Sequence, residues 1–326
     1  MGTRLSMRTL LGSMLAIGAL MTAGACGSDE SSTLTPGGSD TPSDTPSSGG
    51  ATEDEKGTIS MSGQDFTEMQ IMAEMYRQVL EAAGYTVDFN LVGTRDLYLP
   101  GLRKGQIDVV PEYLAGIADQ LNGDEAFTTN DPQKALSELE PLAADAGVTM
   151  LDPSQATDQN AFFVTQEYAE RNGVSKLSEV AGVGDAVTLA AAPDCEGRSD
   201  CEGGLTEVYG IEIDSIIDTG FGTQQTKDAV LEGEAQLGLT GTTDATLDQL
   251  GLVLLEDDMG IQPAQNLIPA VNTEFLDQNP DIADVLNELS ATLTTEDLAM
   301  LNGQVDIDRQ KAADVAETYL QDKELL

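Results

Sequence analysis

The 326-residue sequence predicts an α/β protein built as two lobes. Strand-like and helix-like segments alternate along the chain, which is typical of parallel strands joined by crossover helices. One such unit occurs twice: VGT at 92–94 and FGT at 221–223 are each followed by a helical stretch, a glycine and an apolar strand. Two copies of one plan, in a chain long enough for two cores, favour two similar lobes.

The first 25 residues are typical of a signal peptide, with Arg4 and Arg8 at a positively charged start and small apolar residues behind them. Ala23, Gly24 and Ala25 directly precede Cys26, which resembles the lipobox of bacterial lipoproteins, in which that cysteine carries the lipid. A plain secretory signal with an unmodified cysteine is the alternative. Residues 26–57, lipidated at their start, are rich in Ser, Thr, Pro, Gly and Asp and predict a disordered tether.

The first folded segment predicts a strand at 58–61, a helix and a second strand at 85–91. The polar turn QDFTE at 64–68 precedes the helix, and we expect Asp65 or Thr67 to cap its start. Apolar residues recur at helical spacing from Ile71 to Ala83, and Gly84 ends the helix.

The stretch GQIDVVPEYLAG at 105–116 predicts a short buried strand, because Ile107, Val109 and Val110 form an apolar run. We expect Pro111 to end that strand, since proline has no N–H to donate to a neighbouring strand. Glu112 and Tyr113 then follow the carboxyl end of the strand, which is where ligands bind in open α/β sheets.

The second half of the chain continues the alternation and ends in helices. Further strands are predicted at 161–164, 187–192, 216–218 and 253–255, with a helix at 205–209. The apolar stretch 267–271 is expected to return the chain to the first lobe. Helices are predicted at 282–293, 295–301 and 308–320, the second of them capped by Thr295.

Composition restricts the possible functions. The formal net charge of −42 argues against binding nucleic acid or anionic lipid through surface charge. The absence of histidine removes the commonest general base and the commonest metal ligand. The sequence also lacks a nucleophile elbow, a phosphate-binding loop and any metal-ligand spacing. We therefore predict no catalytic residue, no cofactor and no metal site.

Cys195 and Cys201 enclose Arg198 in a glycine-rich loop. An exported chain permits a disulfide between them. Zinc binding is the competing interpretation, although two thiols without histidine or further cysteine do not fill a tetrahedral site. A disulfide would fix Arg198, whose guanidinium suits a bidentate grip on a carboxylate; a solvated surface arginine is the alternative.

Five motifs occur in order: QDFTE at 64–68, GQIDVVPEYLAG at 105–116, the Arg198 loop, LEDDMGIQPAQNLIP at 255–269 and LTTEDLAMLNGQV at 293–305. Together they resemble the substrate-binding proteins of osmoprotectant ABC transporters, which bind glycine betaine, choline or carnitine. The resemblance implies a non-enzymatic protein with the two-lobed periplasmic-binding-protein fold and two crossovers between the lobes. It assigns residues 58–160 and 267–326 to the first lobe and residues 161–266 to the second.

The resemblance also implies partners and a location. The lobes are expected to close on a small solute and to deliver it to an ABC permease. With the lipobox, the protein is expected outside the cytoplasm, held by lipid on the outer face of the cell membrane. No nucleic acid is expected as a partner.

In the resembled family, tyrosines surround a quaternary ammonium by cation–π attraction, and an arginine, often with a lysine, holds a carboxylate. The resemblance places Tyr113 and Phe162 in this cage and Arg198 on the carboxylate. Gln64 replaces the usual lysine, and Gly241 and Gln265 replace two cage tyrosines. The whole set of predicted ligand-binding residues is Gln64, Asp65, Tyr113, Phe162, Arg198, Thr242, Thr243 and Gln265.

The two missing tyrosines leave the ligand open. Another small polar or aromatic solute bound by the same fold is one alternative. An exported hydrolase on this scaffold is an alternative of another class, and the lack of histidine and of a nucleophile motif argues against it.

Overall fold

The computed structural model describes residues 56–123, 127–184 and 186–326. The predicted signal peptide, the lipidation site Cys26 and nearly all of the predicted tether lie outside the described residues. The described part contains two five-stranded sheets. Their strands are β1 (Thr58–Gln64), β2 (Thr86–Val92), β3 (Val109–Tyr113), β4 (Val148–Met150), β5 (Asn160–Thr165), β6 (Val187–Ala191), β7 (Ile213–Asp218), β8 (Leu237–Gly241), β9 (Leu252–Leu255) and β10 (Leu267–Asn272).

Helices connect these strands and form the C-terminal end of the chain. The α-helices of the described part are α1 (Thr67–Ala82), α2 (Arg95–Leu102), α3 (Leu114–Leu121), α4 (Pro132–Asp145), α5 (Gln166–Asn172), α6 (Leu177–Val180), α7 (Glu202–Glu207), α8 (Gln224–Leu231), α9 (Leu247–Leu250), α10 (Thr273–Gln278), α11 (Asp281–Thr292), α12 (Thr295–Asp306) and α13 (Ala312–Asp322). None of the helices among the described residues is long and apolar enough to cross a membrane.

The two sheets follow one plan, as the repeated unit predicts. The first has the order β2-β1-β3-β10-β4 and the second the order β7-β6-β8-β5-β9. Strands β1, β2 and β3 are parallel, as are β6, β7 and β8, while β10 and β5 run antiparallel to their neighbours. In each sheet the antiparallel strand is the one that begins just after the chain has crossed between the sheets. The predicted two-lobed α/β fold is therefore confirmed.

Each sheet has its own core. Helix α1 packs against β1 and against α11, α12 and α13, and its buried side chains include Met69, Ile71 and Met72. This apolar stripe is the one that the helical spacing predicts. We define each lobe as one sheet with the helices packed on it. The exact residue limits given above for the two lobes stay a prediction.

Three local predictions were wrong. Strand β3 continues through Pro111, which lies opposite Pro269 of β10. Neither proline has an N–H to donate, and at this pair neither needs one from the other. Helix α1 begins after Phe66 without a side-chain capping bond, so neither Asp65 nor Thr67 caps it. Helix α12 is capped by Thr294, one residue before the predicted cap, in a reciprocal capping box with Asp297.

Two crossovers connect the lobes, at residues 151–159 and 256–266. They run side by side, because Thr157 pairs antiparallel with Asn266 and the amide of Asp158 donates to Gln265 O at 3.3 Å. Thr242 of the second lobe joins the first crossover: its Oγ1 accepts from the Gln159 amide at 3.0 Å and donates to Thr157 O at 3.0 Å. The crossovers therefore form one hydrogen-bonded support beneath the space between the lobes.

Candidate functional site

A cleft of about 530 Å³ lies between the two lobes. We call it the ligand cleft. The first lobe contributes Asp119, Phe127 and Thr128, the second contributes Arg198, Asp200 and Phe221 among others, and the crossovers contribute Asp158, Gln159, Gln262 and Gln265.

A smaller pocket of about 370 Å³ shares Asp158 and Phe221 with the ligand cleft. We call it the side pocket. Its walls also come from both lobes and include Phe66, Glu68 and Asn302 of the first lobe and Lys227, Gly241, Thr243 and Asp244 of the second. The two spaces together form a continuous band of lining residues between the lobes.

Tyr113 is held beside the side pocket by its hydroxyl, which donates to the carboxylate of Glu68 in the first turn of α1. Asn302 Nδ2 donates to the other oxygen of that carboxylate at 2.8 Å. Phe66, which precedes α1, stacks on the Tyr113 ring with centroids 6.4 Å apart and planes 10° from parallel. Tyr113 itself is only 6% exposed and is not among the residues that line the ligand cleft or the side pocket, so of these two rings it is Phe66 that reaches the side pocket.

Glu68 is only 2% exposed, which is unusual for a carboxylate. Burial raises the pKa of Glu68, and the hydrogen bonds from Tyr113 and Asn302 act in the opposite direction. The position at the N-terminus of α1 also favours a negative charge. Glu68 is therefore a buried acid that faces a pocket between the lobes.

Asp158, in the first crossover, is the second acid at this place. Its Oδ1 accepts from Thr243 Oγ1 at 3.2 Å. Burial, together with the nearby charge of Glu68, raises the pKa of Asp158 to about 7. A Cβ atom at Gly241 would stand only 2.9 Å from Asp158 Oδ1, so this carboxylate fills the space beside that glycine.

Arg198, which the resemblance placed on a ligand carboxylate, lines the ligand cleft, and both of its neighbouring acids bind it; its role toward a ligand stays a prediction. Its Nε and Nη2 donate to the two carboxylate oxygens of Asp200 at 2.9 and 2.6 Å, and its Nη1 donates to Asp194 at 3.0 Å. In the structure Cys195 and Cys201 are joined by a disulfide that closes this loop, and both are fully buried. The side-chain amide of Asn160 also donates to Asp200, at 3.0 Å.

Lys227 is the cation of the side pocket. Its Nζ lies 2.8 Å from Asp244 Oδ2 and donates to Gly222 O at 2.9 Å. Burial by itself raises the pKa of Asp244. The hydrogen bonds donated by Lys227 and Thr240 outweigh this effect and hold that pKa below its ordinary value. The positive charge of Lys227 is therefore already matched within the second lobe.

The structure gives Glu112 a role in the fold rather than in the cleft. It is fully buried, accepts from Arg95 Nε at 2.9 Å and accepts from the hydroxyl of Tyr98. Successive residues of a strand point to opposite faces, so Glu112 and its neighbour Tyr113 serve different sides of β3.

The structure divides the other predicted site residues: two line neither space, and two line the cleft or the side pocket. Gln64 ends β1 and Asp65 is exposed, accepting from Gln70 at 2.8 Å; neither is among the lining residues of the cleft or the side pocket. Gln265 lines the cleft, and its Oε1 accepts from the Gly116 amide at 3.1 Å. Thr243 lines the side pocket and bonds Asp158.

Phe162 does not form a wall of the ligand cleft. It is 1% exposed and belongs to the core of the second lobe, together with Val164 and Leu239. Phe162 and Thr242 border a neighbouring groove of about 630 Å³, which shares Gln159, Asn160 and Gln262 with the ligand cleft. In the same strand it is Asn160 that reaches the cleft, two residues earlier on the same face.

Most residues that line the two spaces were not predicted as site residues, and among them are Glu68, Phe127, Asp158 and Phe221. Phe221 precedes the Gly-Thr turn of the repeated unit and is 51% exposed. The Gly-Thr turn could have identified Phe221 as a site residue, because a large apolar residue beside a turn has no strand or helix in which to be buried. Glu68 is the last residue of the QDFTE motif, whereas no sequence pattern distinguished Asp158.

Comparison with known proteins agrees with this architecture. A family model described as the substrate-binding domain of ABC-type glycine betaine transport systems matches residues 57–322. The chain belongs to this family. The family is one of solute-binding proteins, so the resemblance seen in the five motifs is confirmed.

This substrate-binding protein is similar to two curated relatives. It is 28% identical to a glycine-betaine-binding protein of Pseudomonas aeruginosa over 82% of this chain and 89% of the relative. It is 26% identical to the glycine betaine-binding protein YehZ of Escherichia coli over 79% of this chain and 88% of the relative. The solved structure of apo YehZ from Escherichia coli superposes with a TM-score of 0.73, covering 82% of this chain and 99% of that one, at 23% identity. That structure supports the fold.

Proposed function

We propose that this protein is the extracytoplasmic substrate-binding component of an ABC importer and that it binds a quaternary-ammonium solute between its lobes. One observation carries the proposal. The exposed rings of Phe66 in the first lobe and Phe221 in the second line the side pocket together with the carboxylates of Glu68 and Asp158, and the buried Tyr113 stacks behind Phe66.

This arrangement suits a methylated ammonium group. Such a group has no N–H to donate, so it is recognised by aromatic faces and by negative charge rather than by hydrogen bonds. Each ring contributes about 0.5–2 kcal/mol, more when water is excluded. Because the rings come from different lobes, a ligand that touches all of them favours approach of the lobes.

The partners follow from family membership and from the sequence. The family is described as the substrate-binding domain of an ABC-type transport system, so the proposed protein partner is a membrane permease. We propose that lipid on Cys26 keeps the protein at the outer face of the membrane and that residues 26–57 act as the tether. Folded lobes would then remain near the permease while still able to rotate.

A thermal-shift screen with calorimetric follow-up tests the proposal. Choline, glycine betaine and carnitine are compared with amino acids and uncharged aromatic solutes, since a ligand that binds only the folded state raises Tm. We expect a shift with at least one quaternary ammonium compound, reduced in Phe221→Ala and retained in Val208→Ala, an exposed second-lobe position outside the cleft. A shift with amino acids or aromatic solutes alone would instead support the alternative ligand class.

A further inference from the structure

The charges that line the space between the lobes are strongly unequal. Among the described residues that line the ligand cleft and the side pocket, Arg198 and Lys227 are the cations. Six carboxylates line the same two spaces: Asp119, Asp158 and Asp200 in the cleft, and Glu68, Asp244 and Asp306 in the side pocket. A ligand that enters therefore meets an excess of negative charge.

Neither cation has an unmatched charge. The guanidinium of Arg198 grips both oxygens of Asp200 and reaches Asp194 with its remaining terminal nitrogen. Lys227 is buried against Asp244. A ligand carboxylate bound at Arg198 must either displace one of these acids or lie beside it, where like charges repel.

Asp200 is not easily displaced. Asn160 Nδ2 donates to its carboxylate at 3.0 Å, and Gln262 Nε2 donates to its main-chain oxygen at 2.8 Å. The disulfide between Cys195 and Cys201 closes the loop that contains Arg198 and Asp200, and Asp194 directly precedes it. Moving Asp200 away from Arg198 would break the bond to Asn160 as well as the bidentate pair.

The opposite end of a ligand has a different environment. The carboxylate of Asp158 accepts a hydrogen bond from Thr243 and stands beside the ring of Phe221, which lies 3.7 Å from the place of a Cβ at Gly241. A cation against that ring gains attraction from Asp158 and, through the side pocket, from Glu68.

Resting on the proposed function, we infer that this cleft selects a cation without a carboxylate over a zwitterion. Among quaternary ammonium solutes, the choline type is favoured over the glycine betaine type. The two molecules share the trimethylammonium group and differ at the other end, where choline has a neutral hydroxyl and glycine betaine a carboxylate. The selectivity arises because the cleft's arginine is neutralised by the protein's own acids.

Calorimetric titration of the full folded protein with choline and with glycine betaine tests the inference, at about pH 8 so that Asp158 is ionised. We expect choline to bind about tenfold or more tightly than glycine betaine. Asp200→Asn removes one of the two acids on Arg198, so glycine betaine should gain about tenfold in affinity and the ratio should shrink. Asp194→Asn, at an exposed position, should change the ratio in the same direction. This second variant still tests the inference if Asp200→Asn does not fold.

Asp88→Asn is the matched control, since it removes the same charge from an exposed position on β2 outside both spaces and should leave the ratio unchanged. Glycine betaine binding as tightly as choline in the wild type would overturn the inference and leave the proposed function standing. A ratio that neither Asp200→Asn nor Asp194→Asn alters would overturn it too. Failure of both solutes to bind, together with no thermal shift from carnitine, would reject the proposed function itself.

Discussion

Gly241 lies directly against the carboxylate of Asp158. A Cβ atom at position 241 would stand 2.9 Å from Asp158 Oδ1 and 3.7 Å from the ring of Phe221. A tyrosine at this position, as the family resemblance leads one to expect, would need the space that these two side chains occupy. The second lobe therefore supplies its aromatic surface from residue 221 and not from residue 241.

Gly241→Ala should weaken binding of a quaternary ammonium ligand severalfold without unfolding the protein. The added methyl group meets the end of a side chain, so we expect it to push Asp158 away from Thr243 and from the ligand. Gly241 is not among the glycines with positive φ, so alanine fits its backbone. Calorimetry gives the affinity and circular dichroism the fold.

Gly182→Ala is the control, because a Cβ there meets nothing within 4 Å. Equal ligand affinities in Gly241→Ala and the wild type would show that Asp158 does not contribute to binding.

Phe221→Ala should lower ligand affinity by about 1–2 kcal/mol, the usual contribution of one ring facing a cation. Its side chain is half exposed, so the free energy of unfolding should change little. Calorimetric titration and chemical denaturation of the same preparation separate the two effects.

Phe162→Ala provides the opposite pattern. Its ring is buried in the core of the second lobe, so truncation should cost about 3–5 kcal/mol of unfolding free energy. The affinity of the protein that remains folded should be unchanged. A selective loss of affinity in Phe162→Ala would return this residue to the binding site.

Binding of a cation such as choline should strengthen as the pH rises through about 7. The pKa of Asp158 is raised to about 7, so below that pH the free protein carries a neutral carboxyl group that must ionise when the cation binds. Affinity should fall by up to about tenfold per pH unit below 7. Titrations between pH 5 and 8 measure the profile, and Asp158→Asn should flatten it.

The raised pKa of Asp158 has the opposite effect on the stability of the ligand-free protein, which should fall as the pH rises. Because the pKa of Asp158 is higher in the folded protein than its ordinary value of 3.8, its contribution favours folding in acid and is lost as the pH rises through about 7. Between about pH 4 and pH 7, Tm should therefore fall less in Asp158→Asn than in the wild type. A wild-type Tm that rises through the same window by more than in Asp158→Asn would contradict the assignment.

Reduction of the disulfide between Cys195 and Cys201 should loosen the Arg198 loop. Closure of so short a loop contributes about 2–3 kcal/mol in the chain-entropy description. Reduction should lower Tm, and since Arg198 and Asp200 lose their fixed relation, it should change the ratio of choline to glycine betaine affinity in the same direction as Asp200→Asn. Intact-mass analysis before and after reduction establishes the state of the thiols, and two free thiols in the native protein would rule out the effect.

Cys26→Ser should abolish membrane association. The small residues before Cys26 and the polar stretch behind it predict lipid attachment at its sulfur. Metabolic labelling with a fatty acid, followed by membrane fractionation, should show label and pelleting in the wild type and neither in the variant. Equal labelling of both proteins would exclude Cys26 as the site.

The elements of the fold were predictable because their patterns are periodic. Alternation at 85–91 and the helical stripe from Ile71 onward each bury one face and expose the other, and this is the information that a sequence displays most clearly. The repeated Gly-Thr units were predictable for a similar reason, because Thr94 and Thr223 each precede a helix on the same plan.

The orientation of side chains in β5 was not predictable in this way. Phe162 and Phe163 point to opposite faces, and both are buried because helices or strands cover the two sides of the sheet. A strand buried on both faces shows no alternation, so nothing indicated which residue reaches the cleft. Asp158 was hidden for another reason: it is one of 57 acidic residues, and only its neighbours in space distinguish it.

Strand β10 lies between β3 and β4, and it comes after every strand of the second sheet in the chain. During synthesis from the N-terminus, β5 to β9 are therefore all available before the first sheet receives its fifth and last strand. We expect the second lobe to fold early, as a contiguous unit nested within the other, while β4 waits without a partner strand. A chain ending before residue 267 would keep one complete sheet and leave the other open at its middle.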